Sequence, residues 1–95
     1  MKFKELEWKD SISDGMIISS NCVVKVYDYA IKMEFRIAYK QDEEKYYLCS
    51  FGQGNIRRLK PDIFDSLDEA KSVAYKIYSN EMRRIKKAVD YLVVT

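Results

Sequence analysis

Histidine is absent from the 95 residues, which removes the commonest general base near neutral pH, the usual partner of a nucleophile and a principal zinc ligand. Most hydrolase arrangements go with it. Cysteine occurs twice, at Cys22 and Cys49, too few for the disulfide framework of a small secreted domain or for a structural zinc site within one chain. The pair reads as reduced core thiols, with a cross-strand disulfide as the alternative. The chain is therefore expected to be no enzyme, with no catalytic residue, no metal and no cofactor. Proline occurs once, at Pro61, and glycine at Gly15, Gly52 and Gly54 only, so the backbone punctuation is sparse and no repeat or linker shows. No apolar run approaches the roughly 20 residues of a membrane span, and the Met1 to Glu5 stretch lacks the apolar core of a secretory signal. A soluble, cytoplasmic protein is the expectation.

Hydrophobic residues make up 47% of the chain and charged residues 34%, the composition of an ordinary globular protein. A chain of this size builds one core, so residues 1–95 are read as a single domain. The net charge of +2 is too small to imply nucleic acid by itself. The basic residues are nevertheless clustered: Arg57, Arg58 and Lys60 form one group, Arg83, Arg84, Lys86 and Lys87 another, with Asp62, Asp65, Asp68 and Glu69 between them.

From Met33 to Lys40 the alternation is strict, Met33, Phe35, Ile37 and Tyr39 on one face and Glu34, Arg36, Ala38 and Lys40 on the other, the pattern of a half-buried strand. Cys22 to Tyr29 is also strand-like, with its inward face ambiguous, and Lys45 to Phe51 follows at hairpin distance through the polar Gln41 to Glu44. Leu6 and Trp8 alternate with charge, and Met16 to Ile18 follows the Asp14-Gly15 turn signal, which predicts one or two more short strands. Asn55 to Phe64 carries the chain across through Pro61, with an edge strand expected around Ile56 to Leu59. The strands thus fall within residues 3–59.

Ser66-Leu67-Asp68-Glu69 is a capping box: Ser66 accepts from the Glu69 amide and the Glu69 carboxylate returns to the Ser66 amide. The helix that follows, over about 66–91, presents Leu67, Ala70, Ala74, Ile77, Tyr78, Ile85, Val89 and Leu92 on one half of its surface. Twenty-six residues make a helix of roughly 39 Å, whereas six-residue strands span about 20 Å. The second half must overhang, bend or meet something else. Glu81, near the middle of the apolar face, implies an ion pair, a bend near Ser79-Asn80 or the end of core contact. The fold class is α+β: an antiparallel sheet of three to five strands, then one long C-terminal helix packed on one face.

Gly52-Gln53-Gly54 with Arg57 and Arg58 beyond it completes no nucleotide motif and reads as a strand exit with a solvated basic connector. Asp42-Glu43-Glu44 reads as a solvated hairpin tip. One helix cannot cover both faces of a sheet, so some of the strand tyrosines must stay exposed; Tyr27, Tyr29, Tyr46 and Tyr47 are the candidate contacts. Tyrosine is enriched at protein interfaces, and along the chain the basic residues are not interleaved with these tyrosines as a base-stacking platform would require. The Arg83 to Lys87 group lies toward a helix C-terminus, where the dipole favours positive charge whatever the function.

With Leu6-Glu7-Trp8 near its start and Phe64-Asp65-Ser66-Leu67-Asp68-Glu69-Ala70-Lys71 opening its last helix, the chain resembles small phage- and prophage-encoded α+β proteins of unknown function. In size and texture it looks most like anti-CRISPR proteins. That resemblance implies a non-catalytic inhibitor in the cytoplasm of a host cell, with a host protein, a CRISPR effector nuclease, as its partner. The double-stranded-RNA-binding domain is similar in packing three antiparallel strands on a C-terminal helix. Here its N-terminal helix is missing and the basic cluster sits late in the helix. Two further expectations stand beside the inhibitor: a nucleic-acid-binding protein using residues 57–60 and 83–87, and a structural homodimer formed by the overhanging helix.

Overall fold

The computed structural model describes residues 3–26, 31–52 and 61–92, with Val26 and Ile31 described by backbone alone. Positive φ at Asp14 (52°) and Gly15 (75°) makes a two-residue turn whose twist suits paired strands, so β1 (Lys9–Ser13) folds back on β2 (Met16–Val26). Strand β3 (Ile31–Lys40) is followed by the Gln41 to Glu44 turn and by β4 (Lys45–Gly52). Strand β5 (Asp62–Phe64) pairs with Tyr46 to Leu48 of β4. Every neighbour is antiparallel, in the order β1-β2-β3-β4-β5, and helix α1 (Leu67–Leu92) closes the chain. The expected α+β architecture is the one observed.

Alternation decides the two faces. Cys22, Met33, Phe35, Ile37 and Leu48 turn inward and are almost wholly buried with Ala70, Ala74 and Tyr78 of the helix. Two alanines one turn apart let the helix backbone approach the sheet, and burying a side chain the size of Phe35 contributes about 2–3 kcal/mol. The ambiguity in β2 resolves with Ser20, Cys22 and Val24 inward, opposite Ile37, Phe35 and Met33. Ser66 caps the helix as expected: its Oγ accepts the Glu69 N–H at 3.1 Å. The return bond from the Glu69 carboxylate is not formed among the described residues.

The start of the chain differs from expectation. Leu6 and Trp8 belong to no strand; residues 3–8 run beside the helix as a strap, and Phe3, Leu6 and Trp8 pack against the core. The Tyr75 hydroxyl donates to the Phe3 carbonyl at 2.9 Å, the Phe3 ring meets Tyr78 edge-on, and Lys71 lies over Trp8. Large apolar side chains spaced by charge bury as well against a helix flank as in a sheet, so the alternation did not specify pairing. Met16 to Ile18 is the start of the long β2, not a strand of its own. The last strand is Asp62–Phe64, inside the stretch read as a connector, and the edge strand expected around Ile56 to Leu59 lies outside the described residues.

Helix α1 is unbroken through Ser79-Asn80. From Lys86 to Leu92 every residue is exposed, so the helix overhangs, and the molecule measures 56 × 22 × 21 Å. Glu81 is buried and forms an ion pair with Arg84, whose Nε donates to it at 3.0 Å. That settles its place on the apolar face. The bond to Glu81 also pushes the Arg84 pKa further up from its ordinary value.

Candidate functional site

The helix covers one face of the sheet and leaves the other open. Outward residues of β2, β3, β4 and β5 form cross-strand rows there: Ser19, Ala38, Tyr47 and Ile63 in one, Val23, Glu34 and Phe51 in another. Val23 is 50% exposed, Phe51 41% and Ile63 54%, a degree of apolar exposure that an inward-facing pattern would not leave.

Cations stand among these apolar groups. On β3, Lys32, Arg36 and Lys40 point outward at four-residue intervals, which sets them about 13 Å apart in a row about 27 Å long. Lys25 stands opposite Lys32 and Lys45 opposite Lys40. Lys9 shares the row of Arg36 through Asn21. Six outward cations thus face one outward carboxylate on β3, Glu34, which accepts from Arg36 at 2.9 Å. Two of the cations sit on rings: the Arg36 guanidinium lies 5.4 Å from the Phe51 centroid and the Lys40 ammonium 5.2 Å from the Tyr47 centroid. Tyr47 also donates its hydroxyl to Glu43 at the hairpin tip, and that bond, with lesser burial and charge effects, pushes its pKa up. Lys45 pairs with Asp65, which raises its pKa in turn.

The expected contact residues divide. Tyr47 lies on the open face, whereas Tyr46 turns to the helix side and packs on Tyr39, ring centroids 5.0 Å apart. Tyr27, Tyr29, Arg57, Arg58 and Lys60 lie outside the described residues. Arg83, Arg84, Lys86 and Lys87 are exposed on the far part of the helix. The dipole does not explain them, because the last turn holds no basic residue and Lys87 precedes the end by five positions. Arg84 pairs with Glu81 and Lys86 with Asp90, so two of the four charges are offset within the helix, while Arg83 bonds the neutral Asn80 and lies over Phe3. Ile85, Val89 and Leu92 beside it follow heptad spacing for less than two heptads, short of what holds two helices together in water.

Neither thiol is paired. Cys22 faces the core, but Cys49 faces the open side, half-buried, opposite Arg36; the two stand on opposite faces of the sheet, and the expectation of two core thiols holds for Cys22 alone. Burial pushes the Cys22 pKa up, a backbone hydrogen bond to Glu7 offsetting this in part, and a protonated, enclosed thiol is a poor nucleophile. It floors a cleft of about 320 Å³ between the strap, β2 and the helix at Tyr78 and Met82.

Sequence reading missed two groups. Ser20 donates to Asp10 at 2.5 Å, and Asp10 also meets Lys71 at 3.6 Å. Ser20 is fully buried and closed to a substrate, so the trio ties β1 to β2 and the helix. The outward Arg36, Lys40 and Phe51 were visible only as the polar side of an alternation. Among the described residues no cluster of carboxylates or cysteines is placed to hold a metal ion, Asp42, Glu43 and Glu44 included, and no helix is long and apolar enough to cross a membrane.

Comparison with protein-family models, with curated proteins and with solved structures finds no match to this chain.

Proposed function

We propose that this is a non-catalytic binding protein that works by laying the open face of its sheet on a macromolecular partner. The observation that carries the reading is the exposure of Val23, Phe51 and Ile63 on one face together with Arg36 and Lys40 seated on aromatic rings. The strands run from three to eleven residues, and at about 3.4 Å along and 4.8 Å across per residue the face offers roughly 600 Å², about three quarters of the ~800 Å² each partner gives to a stable interface. Exposed aromatics and arginine ringed by charge are the composition that concentrates binding energy.

The likeness to inhibitors of host nucleases supplies the first target to try. Purified protein is titrated into cleavage assays of CRISPR nucleases, and wild type is compared with an Arg36→Ala/Phe51→Ala variant in capture from host lysate. The expected outcome is a captured partner lost in the variant. Inhibition of no nuclease type removes that target, and capture unchanged by the variant removes the open face. A homodimer through the overhanging helix has less support, since its apolar seam is short.

A further inference from the structure

We infer that the open face is a track for single-stranded nucleic acid, its phosphates following the cations of β3 and its bases stacking beside them on the ring and cation pairs of β3 and β4. The inference rests on the open face being the docking surface and names the chemistry of what docks there.

Two observations carry it beyond a general preference for negative partners. The first is a cost. Lys25 faces Lys32 and Lys40 faces Lys45 directly across paired strands, and like charges so placed destabilise a sheet. Among the described residues Lys25 and Lys32 have no carboxylate partner, whereas Asp65 pairs with Lys45 and offsets part of the repulsion at the other end. A polyanion lying along the face would relieve both pairs. The second is order. Lys32, Arg36 and Lys40 form a straight row along the central strand, and Tyr47 and Phe51 form a second row about 13 Å long on the neighbouring strand. Single-strand binders combine a cationic path for the backbone with an adjacent aromatic path for the bases, and a guanidinium plane stacks a base as a ring does. The Arg36 guanidinium carbon lies 5.4 Å from the Phe51 centroid, so a cation and a ring stand side by side on the open face. An acidic protein surface matches the charge but has no use for this parallel arrangement, and a duplex keeps its bases stacked inside.

The test is fluorescence anisotropy of labelled dT20 against the intact protein, with a 20-base-pair duplex and polyglutamate as competitors. The expected result is binding at 50 mM salt that weakens about 100-fold by 200 mM, as four to five phosphate contacts give at a slope of about −0.7 each. Lys32→Gln/Lys40→Gln should flatten that slope by about 1.4, two contacts' worth. Phe51→Ala, which leaves all charges in place, should weaken binding about tenfold through lost stacking. All three residues are exposed, and a thermal melt of each variant checks the fold. Failure of dT20 to bind at low salt overturns the inference; so do competition by duplex or polyglutamate as strong as by dT20, and a Phe51→Ala variant that binds like wild type. Loss of lysate capture in the Arg36→Ala/Phe51→Ala variant would still stand in those cases, leaving the docking face in place with a protein on it.

Discussion

Lys25 and Lys32 stand directly opposite one another on β2 and β3, two like charges on the same face of the sheet. Lys32→Glu converts the pair to opposite charges and should stabilise the fold by about 0.2–1 kcal/mol. Urea unfolding of the two proteins reads this, and the same substitution should weaken any anionic ligand of the open face. A destabilised Lys32→Glu protein means that the repulsion is relieved some other way.

Ser66 supplies the one side-chain bond seen at the start of the helix. Ser66→Ala should cost about 1 kcal/mol, and Ser66→Asp should restore most of it. In a domain of this size that loss lowers the midpoint of a thermal melt by about 4–8 °C.

The two faces should answer differently to truncation. Phe35 is fully buried, so Phe35→Ala should cost about 3–5 kcal/mol, much of the stability of a small domain. Cys49→Ala on the open side should change it by less than about 1 kcal/mol. With a thiol reagent under native conditions, Cys49 should label quickly and Cys22 only as fast as the chain opens. Equal rates would place both thiols on the surface.

Alkaline pH should weaken the fold. Burial raises the Cys22 pKa above the ordinary 9.0 and that of Tyr78 above the ordinary 10.0. Above pH 9 the unfolded chain therefore gives up the Cys22 proton before the folded one does, and unfolding is favoured. The stability is present in full below the ordinary thiol value and falls as pH rises through it toward the raised one. Urea midpoints measured from pH 7.5 to 10.5 should decline, and less steeply in Cys22→Ala; a flat profile contradicts the burial argument.

The overhang should be dispensable to the fold. A chain stopped after Ala88 loses Val89, Tyr91 and Leu92, all exposed, and should unfold within about 0.5 kcal/mol of the full chain. The full chain should sediment as a monomer of 11.3 kDa. A concentration-dependent dimer abolished by Leu92→Asp would show the short seam to be sufficient after all.

Local chemistry was legible in the sequence. The alternation of Met33 to Tyr39 named the inward face of β3, Asp14-Gly15 named a turn, Ser66 named the helix start, and helix length set against strand length implied the overhang. Long-range placement was not. The strap at Leu6 and Trp8 has the periodicity of a strand because burial along a helix flank also takes every second side chain. The open face depended on register: Arg36 and Phe51 are fifteen positions apart, and only the pairing of β3 with β4 sets one over the other. Along the chain Arg36 and Lys40 sit beside Phe35 and Tyr39, which turn to the opposite face; across the strands they meet Phe51 and Tyr47 on their own face. Order along the chain spoke against nucleic acid through the tyrosines alone, and the cross-strand pairing removes that objection without deciding the partner.

The irregularity in pairing between Ser11 and Ile12 has a consequence for assembly. Strand β1 is one of the two margins of the described sheet, five residues long and exposed throughout, and a straight margin of that kind invites another chain to continue the ladder. Ile18 of β2 is the extra residue opposite Ser11 and Ile12, a bulge that adds local twist behind this margin, while Lys9 and Asp10 put charge on it; both make it a poor template for a further strand. Growth of the sheet by another chain is thereby opposed at the β1 margin, and on that side the basic platform keeps a fixed width.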